Sequence, residues 1–362
     1  MGRRVFLAGL AFVLLLPLAG CNDQTEVSDE LYAIMLGVDQ GEQGGIRLTL
    51  ALPVYGSSTG EGQQEGEESK IYSAEAENIF EGLNQLHLQV AREISLLHLK
   101  LVVFSEELAR EGIAEHAAAV RHHIETRNVM GVMVTSGTAE EYISHLNEDT
   151  AGTLSQELEK LLFRSRNNIY FPVRTFEEFC RDMESDYGQT YAVYRKSPEE
   201  DEEQYGTALF RKGKMVGDLD KIQSACTMMV RGEFTGGTME VDGATVDIDG
   251  RPRARVRIQC NGQRPKIQLH LRVQGGFMEG NYSATKTELQ KKTARGLEEY
   301  MKQAIRKTQS CGSDIWGFGR AAASCFATIP RWEAYHWNQR FSQAEVEVKV
   351  TFQNVKIEVN QR

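Results

Sequence analysis

The fold is decided by the stretch LKLVVFSEE at residues 99–107. Residues 99–104 are almost entirely apolar, which predicts a strand. Ser105 can cap a following helix, and Glu106 and Glu107 suit the positive N-terminal end of that helix. A strand that leads directly into a helix, and repeats of this order along the chain, indicate a layered arrangement of sheet and helices.

The same alternation extends outward over residues 21–196. Strands are predicted at residues 31–39 and 46–54, which form a hairpin, and at residues 70–73 and 129–135. Helices are predicted at residues 74–92 and 112–127, and a third begins after Thr138 as its N-cap. Residues 153–183 are also predicted to be helical, with a break at Pro172 and a restart at Thr175. This pattern predicts an N-terminal α/β region.

A second α/β domain is predicted over residues 206–362, after an acidic linker at residues 197–205. The linker contains SPEEDEE, whose adjacent like charges repel one another and resist packing. Strands are predicted beyond it at residues 206–211, 214–217, 238–241, 253–260 and 266–273, with a closing hairpin of residues 344–352 and 355–359. Helices are predicted from Asp218 through Met229 and over residues 287–309, where Gly312 ends the second. The predicted fold class is mixed α+β, with two to three layered subdomains of mixed sheets flanked by helices.

The first twenty residues predict an export signal that is removed. Arg3 and Arg4 precede an apolar run at residues 5–16, and small residues precede Cys21. The sequence LAGC at residues 18–21 is similar to the bacterial lipoprotein signal, in which the cysteine thiol receives the lipid and the chain is cut between Gly20 and Cys21. We therefore expect lipid attachment at Cys21, with a plain secretory signal as the alternative.

The net charge of the chain makes the lipid on Cys21 the expected means of membrane attachment. The formal net charge is -10, and removal of Arg3 and Arg4 with the signal changes it to -12. An acidic protein is not drawn to anionic lipid by its net charge, and nucleic-acid binding calls for a basic patch. We therefore expect no nucleic-acid partner, and a bilayer contact made through the acyl chains on Cys21.

The motifs that carry chemistry do not support an enzyme. None of the eight histidines lies in an HExxH motif, and the chain has no Walker sequence. A GxSxG match at residues 56–60 lies in a polar stretch rich in glycine, serine and glutamate rather than in a strand-to-helix turn. We predict no catalytic residue, no metal site and no cofactor. The cysteines beyond Cys21 lack CxxC spacing and are expected to be mostly buried thiols. A single disulfide between Cys311 and Cys325 is the alternative for that pair.

Two further patterns each have a structural and a functional interpretation. The sequence GFGRAA at residues 317–322 satisfies the relaxed dinucleotide fingerprint GxGxxA, but it follows a long helix rather than a strand, which argues against nucleotide binding. Arg253, Arg255 and Arg257 share one face of their predicted strand. Either a solvated sheet face or a site for an anionic partner explains this stripe.

The chain resembles the Ger(x)C spore-germination lipoproteins in four segments that occur in the family's order. They are CNDQTEV at residues 21–27 leading into residues 31–39, the stretch at residues 94–113, GTALF with KMVG at residues 206–217, and DIWGFG at residues 314–319 followed by Trp332 and Trp337. The resemblance implies a mixed α/β protein of about three subdomains, so the region 21–196 would divide again near residue 137.

The resemblance also implies a function. It indicates the lipoprotein subunit of a nutrient germinant receptor, held with two membrane-embedded subunits at the outer surface of the cytoplasmic membrane, which is the inner membrane of the spore. Its role there would be assembly and signal coupling, with the loop at residues 314–319 as one candidate docking surface and a glycine turn as its other explanation. The alternatives are a solute-binding lipoprotein of a membrane transporter, an exported enzyme and a purely structural envelope lipoprotein.

Overall fold

The computed structural model describes residues 2, 30–42, 44–54, 68–90, 92–123, 130–150, 154–164, 172, 174–196, 204–279 and 285–357. Cys21 and its cleavage site lie outside the described residues, as do most of the acidic stretches at residues 56–69 and 197–205. Lipid attachment at Cys21 therefore stays a prediction.

An eight-stranded mixed sheet forms the centre of the chain. The first ten strands are β1 (Glu30–Tyr32), β2 (Met35–Gln40), β3 (Ile46–Val54), β4 (Glu68–Ala76), β5 (Glu93–Ser95), β6 (Leu101–Ser105), β7 (Gly131–Thr135), β8 (Tyr191–Lys196), β9 (Gln204–Arg211) and β10 (Lys214–Leu219). Eight of them lie in the order β10-β9-β8-β7-β6-β2-β3-β4, and β1 pairs with β5 in a small separate sheet. The predicted strand 31–39 is therefore wrong as a single element, because the chain leaves one sheet and enters another between Tyr32 and Met35.

The four central strands explain the apolar runs in the sequence. Strands β2, β6, β7 and β8 are parallel to one another, whereas β3 and β4 on one side and β9 and β10 on the other join in antiparallel pairs. The strand predicted at residues 99–104 is confirmed as β6, and all five of its residues are buried. A strand in this position contacts helices on both faces and cannot carry a polar face.

Helices cover both faces of this sheet. They are α1 (Ile79–His87), α2 (Glu106–Glu111), α3 (Ala114–His123), α4 (Ala139–Asp149), α5 (Leu154–Arg164) and α6 (Phe176–Met183). One face, with Val102 and Phe104, packs against α1, α2, α3 and α6. The other face, with Leu101 and Val103, packs against α4 and α5. Successive residues of β6 thus contribute to two cores, as the alternation of side chains along a strand requires.

Capping residues fix where the helices begin. Ser105 accepts a hydrogen bond from the Leu108 N–H, and Thr138 and Thr175 form capping boxes, so these predicted starts are confirmed. The predicted helix 74–92 begins too early. Residues up to Ala76 pair with β3, and the helix starts only after Asn78, whose side chain accepts a hydrogen bond from the Glu81 N–H at 3.1 Å.

Asp39, at the end of β2, fixes the N-terminus of α4. Its buried carboxylate accepts hydrogen bonds from the Ala139 N–H at 2.6 Å and the Glu140 N–H at 3.1 Å. Burial raises the pKa of Asp39, and these backbone hydrogen bonds oppose that shift. Arg47 Nε lies 2.6 Å from Glu140 Oε2, and this hydrogen bond lowers the pKa of Glu140. The contacts tie β2, β3 and α4 together.

A five-stranded sheet dominates the C-terminal part. Its strands are β11 (Gly236–Val241), β12 (Ala244–Asp249), β13 (Arg253–Gln259), β14 (Lys266–Glu279) and β15 (Glu345–Ile357). Strands β12 and β13 lie antiparallel along one edge of β14, and β15 runs parallel to it along the other. The predicted closing hairpin is wrong, because a register shift opposite Gly275 and Gly276 lets one strand continue past residue 354 without a turn.

The remaining helices pack against this sheet. They are α7 (Lys221–Arg231), α8 (Lys286–Cys311), α9 (Phe318–Ala323), α10 (Ile329–Glu333) and α11 (Trp337–Phe341). Helix α8 buries Leu297 and Met301 and ends at Gly312, which has a φ of +64° and confirms the predicted stop. The predicted start at Asp218 is wrong. Asp218 still pairs with β9, and Asp220 caps α7 instead.

The eight-stranded sheet includes residues on both sides of the predicted acidic linker. Strand β8 pairs antiparallel with β9, from Tyr191 opposite Leu209 to Lys196 opposite Gln204. Strands β9 and β10 belong to the predicted C-terminal domain by sequence, yet they complete the sheet that the N-terminal region begins. The division of the chain into domains stays a prediction.

Replacement of Glu140 with Gln should lower the free energy of unfolding by about 0.5–1 kcal/mol near neutral pH, since the ion pair with Arg47 is partly exposed. The folded-state pKa of Glu140 lies below its ordinary value of 4.5. Its contribution is therefore present above that value and is lost as the pH falls through the lowered pKa. Urea unfolding at neutral and acidic pH should show a difference that shrinks in acid. Glu148→Gln, on an exposed position of the same helix, is the control, and a difference that does not change with pH would contradict the assignment.

Candidate functional site

A buried polar cluster joins the elements around residues 174–191 to the C-terminal part of the chain. The guanidinium groups of Arg174 and Arg231 lie over the Tyr191 ring, 4.5 and 5.1 Å from its centroid. Arg174 precedes the cap of α6, Tyr191 begins β8 and Arg231 ends α7. Only 3% of the Arg174 side chain is exposed, so the ring supplies favourable contact to a cation that is nearly removed from water.

Two carboxylates balance the two cations. Asp182 forms an ion pair with Arg174, and Glu233 lies 2.8 Å from Arg231 and 3.7 Å from Arg174. The Tyr191 hydroxyl donates a hydrogen bond to Glu233. Burial raises the pKa of Tyr191 to about 12, so its hydroxyl remains a donor at physiological pH. This arrangement of fixed charges suits a rigid joint rather than proton transfer.

Asp314 organises the adjoining loop. Its buried carboxylate accepts hydrogen bonds from the backbone N–H groups of Trp316 at 3.2 Å, Phe318 at 3.3 Å and Gly319 at 2.6 Å, and from the Trp337 indole at 2.8 Å. Burial raises the pKa of Asp314, and the four donors oppose that shift. The carboxylate therefore substitutes for the backbone partners that this tight loop lacks.

The same loop is bonded to elements on both sides of the predicted acidic linker. The Asp314 carbonyl accepts a hydrogen bond from the Gln189 N–H at 2.9 Å, and the Ile315 carbonyl accepts one from Arg231 Nη1 at 2.7 Å. The Ser313 hydroxyl donates to the Phe210 carbonyl at 2.7 Å. The arginine–tyrosine cluster and the Asp314 loop together form one joint, which we call the junction.

Both glycines of the GxGxxA sequence have structural roles in the junction. Gly317 has a φ of +77°, a conformation that favours glycine. A Cβ on Gly319 would lie 2.3 Å from the Tyr187 carbonyl oxygen and 2.7 Å from Trp337 Cδ1. The glycines therefore serve a turn and a close approach, as expected from their position after a long helix.

A cavity of about 230 Å³ lies against the junction. Its lining includes Asp182, Tyr187, Gln189, Arg231 and Arg320. The volume is below the ~300–1,000 Å³ of common small-molecule pockets. The arrangement is therefore better suited to holding two parts of the chain together than to enclosing a ligand.

Other side chains from the sequence analysis lie elsewhere. Cys311 and Cys325 are both free thiols, and Cys325 Sγ lies 3.6 Å from the Ile258 carbonyl oxygen. The structure therefore contains no disulfide between these two cysteines. The centroids of the His98 and Tyr32 rings lie 4.4 Å apart, and the two rings are tilted by 47°. Within the described ranges, the structure contains no group of three or more His, Cys, Asp or Glu residues that could hold a metal ion.

The sequence did not single out the arginine–tyrosine cluster. Its members lie at the ends of different elements and are separated by as many as 59 positions, between Arg174 and Glu233. Single polar residues at such ends produce no periodic pattern. Only the Asp314 loop could be found beforehand, through the family resemblance.

Comparison with known families covers almost the whole chain. Residues 23–196 match the spore germination protein N-terminal domain, and residues 205–358 match the spore germination B3/GerAC-like C-terminal domain. The chain belongs to the Ger(x)C family of spore germination proteins. The resemblance found in the sequence is thereby confirmed.

Individual relatives extend this result. The spore germination protein GerQC of Bacillus cereus is 22% identical over 94% of this chain and 97% of that protein. The putative spore germination protein YfkR of Bacillus subtilis (strain 168) is 19% identical over 96% of this chain and 95% of that protein. The chain thus matches these Ger(x)C relatives over nearly their full length.

A solved structure agrees with the fold. The crystal structure of the GerBC protein aligns with a TM-score of 0.54 and 16% identity, over 89% of this chain and 97% of that chain. The mixed α+β fold class is therefore confirmed. Among the described residues, no helix is long and apolar enough to cross a bilayer.

Replacement of Asp314 with Asn should lower the free energy of unfolding by about 2–4 kcal/mol. Each carboxylate oxygen accepts two hydrogen bonds, so either orientation of the amide points its NH₂ group at two N–H donors. Denaturant unfolding followed by tryptophan fluorescence measures the loss. Asp186→Asn, at an exposed position, should leave stability unchanged, and equal stability of the two variants would show that the four donors do not need the carboxylate.

Replacement of Arg174 with Ala should cost about 3–5 kcal/mol, because it removes the buried cation that pairs with Asp182 and Glu233 and leaves Asp182 only the exposed Arg181. Arg181→Ala is the comparison, since that side chain pairs with the same carboxylate at 3.4 Å but is 58% exposed, and its loss should cost under about 1 kcal/mol. Thermal unfolding of both variants should separate them clearly. A similar small shift for both would mean that the junction contributes little to stability.

Proposed function

We propose that the chain is the non-enzymatic lipoprotein subunit of a spore nutrient germinant receptor, acting in assembly and signal coupling at the membrane surface. The observation that carries this proposal is the match of both Ger(x)C regions, in order, to residues 23–196 and 205–358. The proposed partners are the receptor's membrane-embedded subunits, and the proposed location is the outer surface of the cytoplasmic membrane, which is the spore inner membrane.

The lipid on Cys21 would hold the protein next to those partners. Eight residues separate Cys21 from Glu30, where β1 begins, and an extended chain spans at most ~3.5 Å per residue. The folded part would therefore stay within a few nanometres of the bilayer. Such confinement raises its effective concentration toward membrane-embedded subunits without any additional contact.

The junction supports a role in coupling. The β8–β9 pairing, the hydrogen bond from Gln189 to the Asp314 carbonyl and the contact of Arg231 with the Tyr191 ring leave few ways for the two family regions to move independently. A displacement imposed on one region would therefore be passed to the other. A flexible linker alone could not transmit it.

The solute-binding alternative is not favoured. The relatives that cover nearly the full chain are spore germination proteins. The junction cavity is smaller than common ligand pockets, and it adjoins charges that already have partners.

Deletion of the gene should abolish or delay nutrient-triggered loss of refractility in purified dormant spores, and a Cys21→Ala strain should show the same defect. Cys21→Ser should fail too, because the lipid-transfer step needs the thiol. Cys325→Ala, which removes an exposed thiol in the folded part, is the control and should respond normally.

Membrane fractionation and palmitate labelling of these strains would locate any failure. Normal germination of the deletion strain with every nutrient, in a background without paralogues, would contradict the receptor role. Normal germination together with loss of label in the Cys21→Ala strain would contradict only the need for the anchor.

A further inference from the structure

The outward face of β13, β14 and β15 carries a compact group of cations. The strand register places the side chains of this face in four rows, which are Arg253–Arg272–Thr351, Arg255–His270–Lys349, Arg257–Gln268–Glu347 and Gln259–Lys266–Glu345. The opposite face, with Leu269 and Val348, is buried against the core. We call the first three rows the basic face.

Five cations of the basic face have no ion-pair partner among the residues that the structure describes. Arg253, Arg255, Arg257, Arg272 and Lys349 are all exposed, and none lies within ion-pair distance of a described carboxylate. Arg253 is directly opposite Arg272 across the β13–β14 pair. Like charges in directly opposed positions destabilise a sheet. A bound anion would therefore offset the electrostatic repulsion between these two arginines.

Acidic residues lie at both ends of the basic face. Glu345 and Glu347 occupy one end, and Asp247 and Asp249 occupy the neighbouring strand β12 at the other. The chain as a whole has a net charge of -10. The basic face is therefore a small positive region surrounded by negative charge, which favours an anion of limited size over an extended anionic surface.

The shape of the basic face indicates an extended ligand. A shallow groove of about 250 Å³ runs over it and is lined by Arg255, Arg257, His270 and Lys349, with one carboxylate, Glu347, on its edge strand. Alternate residues along a strand are ~6.5–7 Å apart, so Arg253, Arg255 and Arg257 repeat at the same interval as alternate side chains of any extended peptide. The twelve positions of the four rows include no Phe, Tyr or Trp on which nucleic-acid bases could stack.

We propose that the basic face binds an extended acidic segment of a partner protein, with carboxylates at alternate positions opposite the arginines of β13. Each guanidinium can bind a carboxylate through two parallel hydrogen bonds, which sets the register of the segment. The partner's Asp or Glu side chains then supply the counter-charges that the sheet lacks. This site does not depend on lipid at Cys21.

Binding of fluorescent peptides to the purified full chain in detergent tests the proposal. The probe is a peptide of about nine residues in which Glu and Thr alternate, and its isomer groups the same glutamates in one block. We expect the alternating peptide to bind more tightly than the isomer. The triple variant R253Q/R255Q/R257Q should weaken its binding at least about tenfold, because charge-assisted contacts are lost at three positions.

The control variant K291Q/K292Q/R295Q removes the same charge from exposed positions of α8 and should bind like the unaltered chain. Lys349→Gln, a single change on β15, should give a smaller loss and serves if the triple variant unfolds. Equal losses in the triple variant and its control, or equal binding of the two peptides, would overturn the proposal. Preferential binding to phosphatidylglycerol vesicles, lost in the triple variant, would overturn it in favour of a bilayer contact.

Discussion

The pairing of β8 with β9 is the constraint on which the rest of the structure depends. Six consecutive residue pairs, from Tyr191 opposite Leu209 to Lys196 opposite Gln204, continue one sheet from the first Ger(x)C region into the second. Tyr191 lies at one end of this pairing, and the guanidinium groups of Arg174 and Arg231 lie over its ring. Backbone hydrogen bonds and buried charges thus meet at one place, and neither region can move away without breaking both.

This construction suits a rigid connection between the two Ger(x)C regions. The buried ionisable groups of the junction pair with one another or accept backbone hydrogen bonds, and Tyr191 stays protonated because burial raises its pKa to about 12. The five cations of the basic face, in contrast, lie on an outward-facing sheet surface and have no ion-pair partner among the residues that the structure describes. Charges that set the internal geometry are paired inside the chain, whereas those on the basic face are open to an external partner. The alternation of arginines along β13 was visible in the sequence, but only the strand register adds Arg272 and Lys349 to them.

Local signals in the sequence predicted much of the fold. Apolar runs located β3 and β6, and capping residues located the starts of the helices after Ser105, Thr138 and Thr175. The errors arose where tertiary pairing decides between local options. Residues 74–76 suit a helix but extend β4, and Asp218 and Asp220 are equally good caps until pairing with β9 excludes the first. The junction could not be predicted, because contacts between residues such as Arg174 and Glu233 leave no trace in local periodicity.

We expect the two Ger(x)C regions to unfold as one unit, because the β8–β9 pairing continues one sheet across both of them. All three tryptophans, Trp316, Trp332 and Trp337, are buried in the second region, and among the described residues only Trp332 also stacks on a residue of the first, Tyr187. The fluorescence of Trp316 and Trp337, measured in a Trp332→Phe variant, therefore reports on the second region. Amide exchange of β6, measured at the same urea concentrations, reports on the first. The structure predicts that both signals change at one urea midpoint. Two separate midpoints, with β6 protected after the tryptophans are exposed or the reverse, would contradict it.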